Sequence, residues 1–468
     1  MKKFSRDNFP ITTFQHEHRR VPLTIPHESN YSENTYTVIV GKNGVGKSRL
    51  LSNMVRDYVV TERLSQNESL IEFDSNDIGG GRIIAVSTSP FDKFMLPPKS
   101  RTKEYVIKTN YRYVGMRSGG MNSISSISLI SSATEGVLER FLKNDSYDRL
   151  NDVFHTLGFT PRVRLIFKSI FNSTASTRNI QLSSFENNQT DFDWLMDFNI
   201  RLSAKVIDIL KEINESEARR IRAAVENLHY HFIDGKSLSV DIDFSHGNEF
   251  SVNNEKFHNF EILESFKILL NYDLIRLMDM KLHKVEYGDM SLRRASSGEQ
   301  CMLVMILGIA GHINDSSLIF IDEPEISLHP KWQEDFMPLL IKTFSQFRKC
   351  QFFIATHSPQ IVSQLDGNNC FVTSLSNNEI FPSSYFYERS SDFQLAEIFD
   401  APGSRNEYVT RLAFSLLSKL KKTKTVGLKE IQEMKKLVSL REEIDRDDPT
   451  YELVESVEEI VNHYASHQ

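Results

Sequence analysis

A glycine-rich loop near the amino terminus constrains the fold of this chain more than any other feature. Residues 41–48 read GKNGVGKS and fit the pattern GxxxxGK[ST] at every fixed position. The apolar segment 37–40 precedes the loop, and a helical apolar pattern from Leu50 to Val55 follows it. A strand, a phosphate-binding loop and a helix in this order begin an α/β sheet. The alternative is a plain glycine-rich turn before a helix.

The loop predicts a nucleotide site with magnesium. Glycines let backbone N–H groups curl around phosphate oxygens, and the helix N terminus favours negative charge. Lys47, also a catalytic candidate, is expected to pair with the β- and γ-phosphates, and the Ser48 hydroxyl to hold Mg²⁺. ATP and Mg²⁺ are therefore the expected cofactors. The residues expected to bind nucleotide here are Gly41, Lys42, Asn43, Gly44, Val45, Gly46, Lys47, Ser48 and Arg49.

Two carboxylates follow a second apolar segment. Residues 318–321 read LIFI, and Asp322 and Glu323 come directly after them. A buried parallel strand would bring both carboxylates to the edge of the sheet where the P-loop lies. Asp322 is expected to hold Mg²⁺ through water, and Glu323 to orient and deprotonate the attacking water. The alternative is a buried strand that ends in an acidic turn.

A short polar motif begins the helical segment before that strand. Residues 296–300 read SSGEQ, and small polar residues before a helix are ordinary N-caps. Their position, one helix of about 13 residues before the acidic strand end, resembles the signature of the ATP-binding cassette (ABC) ATPases. This resemblance implies that Ser296, Ser297, Gly298 and Glu299 contact a nucleotide held by a second subunit, with the serine at its γ-phosphate.

A histidine and two loops complete the candidate site. His357 ends another apolar strand pattern and is expected to contact the γ-phosphate, although a histidine at a strand end is more often structural. Residues 87–92 read STSPFD, and this loop is expected either to contact the metal or the attacking water or to be a plain Ser-Pro turn. Residues 327–329 are expected to run along the dimer interface.

Together these motifs resemble the ATPases related to RecF, SMC and OLD proteins. The segments GKNGVGKS, ASSGEQ, LIFIDEPEISLHPKWQ and ATHSPQ carry this resemblance. Residues 87–92, residues 399–408 and the Asp-Asp-Pro at 447–449 further resemble the PtuA-type ATPases of the Septu and retron anti-phage systems. That resemblance implies a homodimer or higher homo-oligomer and an HNH nuclease partner. It also implies that nucleotide state controls DNA cleavage, with DNA bound through the complex.

The patterns predict an α/β fold, an ABC-type P-loop ATPase head with an insertion and a tail. The head is expected in two parts, residues 1–115 and residues 286–390. A mainly helical lobe is expected at 116–285, with a loop near 115–127, helices at 190–214 and 217–228, and a strand at 238–244. Residues 391–468 are expected to form a helical region for assembly or partner binding, basic at first and then acidic.

Composition excludes several other classes. The formal net charge is −7, which gives no global basic field for nucleic acid, and no apolar run reaches the length of a membrane span. The N terminus does not resemble a signal peptide, and the three cysteines do not form a CxxC pair. A cytoplasmic protein without membrane contact is expected. Asp445 and Asp447 superficially offer a nuclease-like DxD, but their place between two helical patterns predicts that the chain itself is not a nuclease.

Three interpretations remain open from the residues. The first is a defence ATPase that controls a nuclease partner. The second is a DNA-repair clamp of the RecF or SMC type, and the third is an assembly scaffold in which ATP is structural. A transporter subunit fits the motifs less well.

Overall fold

The architecture follows from short apolar strands alternating with helices. The computed structural model describes residues 10–30, 32–65, 81–97, 105–117, 126–142, 147–168, 210, 213, 215–232, 237–245, 249–272 and 274–466. These residues form two units with interleaved segments. The first unit includes Ser52–Leu328 and Leu339–Gln351, and the second comprises Pro10–Leu51, His329–Pro338 and Phe352–Gln468. The four domain ranges predicted from the sequence stay predictions.

The elements are numbered here in chain order. The strands are β1 (Thr13–His16), β2 (Arg19–Pro22), β3 (Thr35–Val40), β4 (Thr61–Ser65), β5 (Ile83–Ser87), β6 (Tyr105–Thr109), β7 (Tyr111–Gly115), β8 (Arg162–Lys168), β9 (Ser237–Asp243), β10 (Glu249–Val252), β11 (Glu255–Phe257), β12 (Arg276–Lys284), β13 (Gly288–Ser291), β14 (Leu318–Asp322), β15 (Gln351–Ala355), β16 (Cys370–Ser374) and β17 (Glu379–Pro382). The α-helices are α1 (Lys47–Tyr58), α2 (Ser126–Leu142), α3 (Tyr147–Thr156), α4 (Glu215–Phe232), α5 (Glu261–Asn271), α6 (Ser297–His312), α7 (Pro330–Thr343), α8 (Pro359–Ser363), α9 (Ser391–Glu397), α10 (Glu407–Thr423), α11 (Leu428–Arg441) and α12 (Pro449–Ser466).

In the first unit, the strand that ends at Asp322 is paired with a parallel neighbour. β5 pairs in parallel with both β14 and β7, and Ser87 is in register with Asp322 on one side and with Gly115 on the other. Every residue of β14 and β5 is buried. Fully buried parallel strands read as continuous apolar runs, which is why these strands were predictable from the sequence.

In the second unit, β3 leads into the P-loop. The strand order there is β17-β16-β3-β15, with β16 parallel to β3 and antiparallel to β17. All six residues of β3 are buried, so the loop begins at the end of a strand fixed on both sides. The backbone amide of Thr356, just after β15, donates to the carbonyl of Ile39, which brings the predicted histidine segment beside the P-loop strand.

The inserted segment contains a sheet that the sequence underestimated. β8 to β13 form an antiparallel sheet in the order β11-β10-β9-β8-β12-β13. On β8, Val163, Leu165 and Phe167 are buried, while Arg162 and Arg164 lie on the other face. The prediction of a mainly helical lobe at 116–285 is therefore only partly correct, because the segment also contains this sheet. The helix predicted at 217–228 lies within α4, whereas most of the helical prediction at 190–214 lies outside the described residues.

The first inserted helix packs directly on the helix that begins at the signature. Gly136 of α2 and Gly311 of α6 meet without side chains, and a Cβ at Gly311 would lie 2.5 Å from the carbonyl carbon of Gly136. A buried ionic cluster accompanies this contact, since Arg82 and Arg112 donate to the carboxylate of Glu139 on α2. Burial alone would raise the pKa of Glu139, but these guanidinium groups hold the pKa well below its usual range.

The C-terminal helices pack around a core of their own. Val409, Leu416 and Leu420 of α10 are buried against apolar residues of α11 and α12. Within α12, Val454, Val457 and Val461 are buried, as their spacing predicts, whereas Ile460 is partly exposed. These contacts make α10, α11 and α12 one packed region.

The carboxylate of Asp448 has a structural use. It accepts from the backbone amides of Arg405, at 2.5 Å, and Thr450, at 2.8 Å. Asp448 therefore fixes the start of α12 to the segment before α10. Among the described residues, no group of three or more histidine, cysteine, aspartate or glutamate side chains is arranged to hold a metal ion.

The three cysteines lie in the core of the protein. Cys301, Cys350 and Cys370 are all free and buried. Burial raises the pKa of the Cys301 thiol, which fits a small core residue at a helix start rather than a redox switch.

None of the helices in the described ranges combines the length and apolarity that crossing a bilayer requires.

Candidate functional site

The P-loop has the backbone that phosphate binding needs. Gly41, Gly44 and Gly46 have φ angles of +146°, +78° and +101°. Residues with a side chain rarely adopt φ angles in this range. A Cβ at Gly41 would also lie 2.9 Å from the hydroxyl oxygen of Ser376. The loop then enters α1 at Lys47, so its amides and the helix N terminus meet at one place.

Lys47 is held at the start of α1 by the loop itself. Its side chain is buried, and the ammonium group donates to the carbonyls of Gly41 at 2.9 Å and Lys42 at 3.4 Å. The Nδ1 atom of His357 lies 3.3 Å from the same ammonium group. The structure thus brings together two of the three predicted catalytic residues, Lys47 and His357.

The environment of His357 favours a neutral imidazole. Burial first, and then the positive charge of Lys47, lower the pKa of His357 from 6.5 to about 4. Its neighbour Ser358 donates to the side-chain carbonyl of Gln333 at 2.6 Å and fixes the turn into α8. A neutral imidazole at this position is able to share a hydrogen bond with Lys47.

This shifted pKa predicts a pH-dependent stability. Between pH 6.5 and about 4, the unfolded chain binds a proton at His357 that the folded chain does not bind, so stability falls as the pH falls through this window. We expect His357→Gln to lose less free energy of unfolding than the wild type between pH 7 and pH 4.5, measured by urea denaturation. His18→Gln, at an exposed position, serves as the control. Parallel curves for His357→Gln and the wild type would contradict the assigned shift.

The acidic strand end lies in the first unit. Asp322 ends β14 and is 3% exposed. Glu323 follows with φ of +48°, an uncommon conformation for a residue with a side chain, and the chain turns from it into a short 3₁₀-helix at Pro324–Ser327. Several other residues with side chains also have positive φ angles, so the catalytic role of Glu323 stays a prediction.

The loop after β5 is fixed beside that strand end. The Ser87 hydroxyl donates to the backbone carbonyl of Asp322 at 3.3 Å. The Thr88 hydroxyl is buried and has no hydrogen-bond partner among the described residues. The loop is thus hydrogen-bonded to the end of β14, and whether one of its residues contacts metal or water stays a prediction.

A partly buried ion pair that the sequence did not predict anchors the same loop. Asp92 accepts from Arg117 at 2.6 and 3.0 Å and from the hydroxyl of Tyr113 at 2.7 Å. Arg117 lies just after β7, where the inserted lobe begins. Its pKa is raised first by the hydrogen bond to Asp92. Phe91, next to this anchor, is 80% exposed.

The signature segment also behaves as an N-cap. The Ser296 hydroxyl accepts from the backbone amide of Glu299 at 3.3 Å, as the simpler interpretation predicts. Ser296 and Ser297 are both exposed, while Gly298 is buried. The cap uses Ser296, and Ser297 is exposed, so the contact predicted for Ser297 stays a prediction that the cap does not contradict.

The P-loop fits a nucleotide phosphate, and each unit carries oxygen ligands of the kind that Mg²⁺ prefers. The second unit supplies a P-loop with three glycines in the required conformation, the buried Lys47 amine and the Ser48 hydroxyl at the helix start. In the first unit, Asp322 has a buried carboxylate, and Thr88 has a buried hydroxyl without a hydrogen-bond partner among the described residues. That these groups act on a nucleotide held by the P-loop stays a prediction. Hydroxyl and carboxylate oxygens are the protein ligands that Mg²⁺ prefers, usually with water and substrate phosphate completing its shell.

Known proteins match the chain in part. A family model described as "AAA domain, putative AbiEii toxin, Type IV TA system" matches residues 139–363, a range that includes the signature, Asp322, Glu323 and His357. The retron Ec83 probable ATPase of Escherichia coli is 32% identical over 103 residues, which cover 20% of this chain and 18% of that protein. The retron Vc95 probable ATPase of Vibrio cholerae serotype O1 biovar El Tor is 29% identical over 86 residues, 16% of each chain.

A longer but weaker match involves a phage protein. Protein ea59 of Escherichia phage lambda is 24% identical over 352 residues, which cover 73% of this chain and 50% of that protein. The matched stretches therefore span between about a sixth and a half of these relatives. The mixed α/β fold with parallel strands is consistent with a P-loop ATPase domain, and over residues 139–363 the chain is similar to an AAA-type ATPase family.

Proposed function

We propose that this chain is an ABC-type ATPase in which two copies close around ATP. The observation that carries the proposal is the P-loop, where three glycines with positive φ angles lead to a buried Lys47 held by the loop carbonyls. This arrangement presents amides, a helix N terminus and an ammonium group to one anionic ligand. Triphosphate is the ligand that matches all three.

The proposed roles follow from the chemistry of each side chain. Lys47 and the loop amides bind the β- and γ-phosphates, and Ser48 and Asp322 hold the Mg²⁺ ion. When bound, that ion neutralises charge that develops on the phosphates. Glu323 accepts the proton of the attacking water, and the neutral His357 is available to hydrogen-bond the γ-phosphate. This assignment requires Asp322 and Glu323 to act on the nucleotide that the P-loop holds.

The second subunit enters through the signature. Ser297 is exposed at the start of α6, and its hydroxyl is available to reach a nucleotide bound by another copy. Closure of two copies would then depend on ATP. The partial matches to two retron ATPases support an ATPase of the retron type. Control of a separate HNH nuclease during anti-phage defence is a further part of the proposal, and it rests on the resemblance of residues 87–92, 399–408 and 447–449 to the PtuA-type ATPases.

Light scattering with and without ATP tests the dimer directly. We expect Glu323→Gln with Mg-ATP to double in mass and to return to the starting mass when Ser297→Arg is added, because an arginine at that place blocks close approach. Arg222→Ala, on an exposed position of α4, is the control and should not change the mass. An ATP-independent mass in Glu323→Gln would contradict closure around nucleotide.

A second experiment addresses the partner. Co-purification with the product of a neighbouring HNH gene, followed by DNA cleavage assays with and without ATP, separates the defence ATPase from a DNA-repair clamp. ATP-dependent cleavage is expected. Turnover measured on the chain alone separates both enzymes from a scaffold with structural ATP.

A further inference from the structure

The second residue of the P-loop contacts the C-terminal helical region. The ammonium group of Lys42 donates to the Glu443 carboxylate at 2.7 Å, and both side chains are about half exposed. The two residues are 401 positions apart in the chain. The phosphate-binding loop and the C-terminal region are therefore joined by one charged contact.

Both ends of this contact are held in place. On the loop side, the Lys42 amide donates to the Ser376 hydroxyl at 3.0 Å, and the Lys42 carbonyl accepts from Lys47. On the other side, Glu443 lies two residues after the end of α11, between Leu440 and Ile444, which are both buried in the core of the C-terminal helices. A movement of the Lys42 side chain would therefore act on the packed core of the C-terminal helices.

A second carboxylate lies near the pair. Asp400 precedes α10, with φ of +50°. Burial raises the pKa of Asp400. The positive charge of Lys42 lowers this pKa and the negative charge of Glu443 raises it, so the three groups interact electrostatically. Asp400 and Glu443 therefore both lie within electrostatic range of Lys42, and Glu443 forms the ion pair with it. A triphosphate in the loop would add several negative charges to the same neighbourhood.

We propose that the C-terminal helices sense nucleotide through Lys42, whose ammonium group exchanges the Glu443 carboxylate for phosphate when ATP occupies the loop. The phosphates attract Lys42 and repel Glu443 and Asp400, so ATP releases the turn after α11. This inference rests on the proposed function, because it needs a nucleotide in the P-loop. It adds the means by which occupancy of the loop reaches the helices expected to bind a partner.

Coupling of this kind is reciprocal. If ATP weakens the contact between Lys42 and Glu443, the contact must weaken ATP binding by the same factor. Exposed ion pairs contribute only a few tenths of a kcal/mol up to about 1 kcal/mol, which corresponds to roughly two- to fivefold in affinity. The contact between Lys42 and Glu443 therefore changes the affinity for ATP only modestly, and its loss releases the turn after α11.

Two measurements on the full-length chain test the proposal. The first is binding of fluorescent ATP with Mg²⁺ at low salt to the wild type, to Glu443→Gln and to Glu459→Gln. Glu459 is an exposed residue of α12 and provides the same charge change away from the loop. We expect Glu443→Gln to bind ATP about two- to fivefold more tightly than Glu459→Gln.

The second measurement is hydrogen exchange of residues 440–448. ATP should speed exchange there in the wild type and in Glu459→Gln. In Glu443→Gln, exchange should already be fast without ATP and should change little on binding. Equal ATP affinities for the two variants, or ATP-independent exchange in the wild type, would overturn the inference. A wild type that binds no ATP would instead overturn the proposed function.

Discussion

Glu323→Gln should lower ATP turnover by at least about a hundredfold and leave ATP binding close to that of the wild type. General-base catalysis by a positioned side chain contributes typically 10²–10⁴-fold, and an amide cannot accept the proton of the attacking water. The left-handed backbone at Glu323 places this side chain on a turn fixed by Pro324 and the short 3₁₀-helix. Glutamine keeps the size of the side chain, so the turn should persist. Phosphate release and fluorescent ATP binding measure the two effects.

Glu334→Gln is the matched control for this variant. It makes the same chemical change on α7, where Glu334 forms an exposed ion pair with Lys331. Its turnover should equal that of the wild type. Turnover by Glu323→Gln within about threefold of the wild type would show that Glu323 is not the base, whereas loss of ATP binding would show that the substitution disturbs the nucleotide site itself.

Lys47→Ala should reduce ATP affinity by roughly 10- to 100-fold and turnover by at least as much. Hydrogen bonds to a charged group contribute about 1.5–3 kcal/mol each, and the ammonium group of Lys47 is already fixed at the loop by two carbonyls. Little entropy is therefore lost when phosphate binds. Isothermal titration with ATP and Mg²⁺ measures the affinity.

Arg56→Ala provides the comparison for Lys47→Ala. Arg56 is an exposed cation in the last turn of the same helix, so its loss changes the net charge without touching the loop. Its ATP affinity should match that of the wild type. If Lys47→Ala bound ATP as tightly as Arg56→Ala, the P-loop assignment would be wrong. Circular dichroism and thermal unfolding establish that both variants fold.

The parts of the fold that the sequence predicted depend on local patterns. β3, β5, β14 and β15 are buried throughout, and their apolar runs are therefore visible in the sequence. The glycines of the P-loop follow from backbone angles that few other residues adopt. The predicted nucleotide and catalytic residues accordingly lie at the ends of strands or at the starts of helices.

The sheet of the inserted lobe was harder to predict. Its strands alternate buried and exposed residues over short stretches, and several contain only three or four residues. β12 carries polar and charged residues among its apolar ones, because one face is only partly covered. Short amphipathic segments of this kind do not separate clearly from helical or irregular patterns.

Contacts between distant residues left no local signal. Asp92 and Arg117 form a partly buried pair across 25 positions, and Lys42 and Glu443 meet across 401 positions. Each of these residues is an ordinary charged side chain in its own segment. Only the fold shows that one pair anchors the loop after β5 and that the other joins the P-loop to the C-terminal helices.

The contact between Gly136 and Gly311 leaves no room for a larger residue at either position. Where two helices touch backbone to backbone, there is no layer of side chains that can rearrange to absorb a shift. A side chain at Gly136 or Gly311 would therefore push α2 and α6 apart, and Ser297 lies at the opposite end of α6 from Gly311. A substitution at this pair of glycines is thus expected to shift α6 along its length, including Ser297.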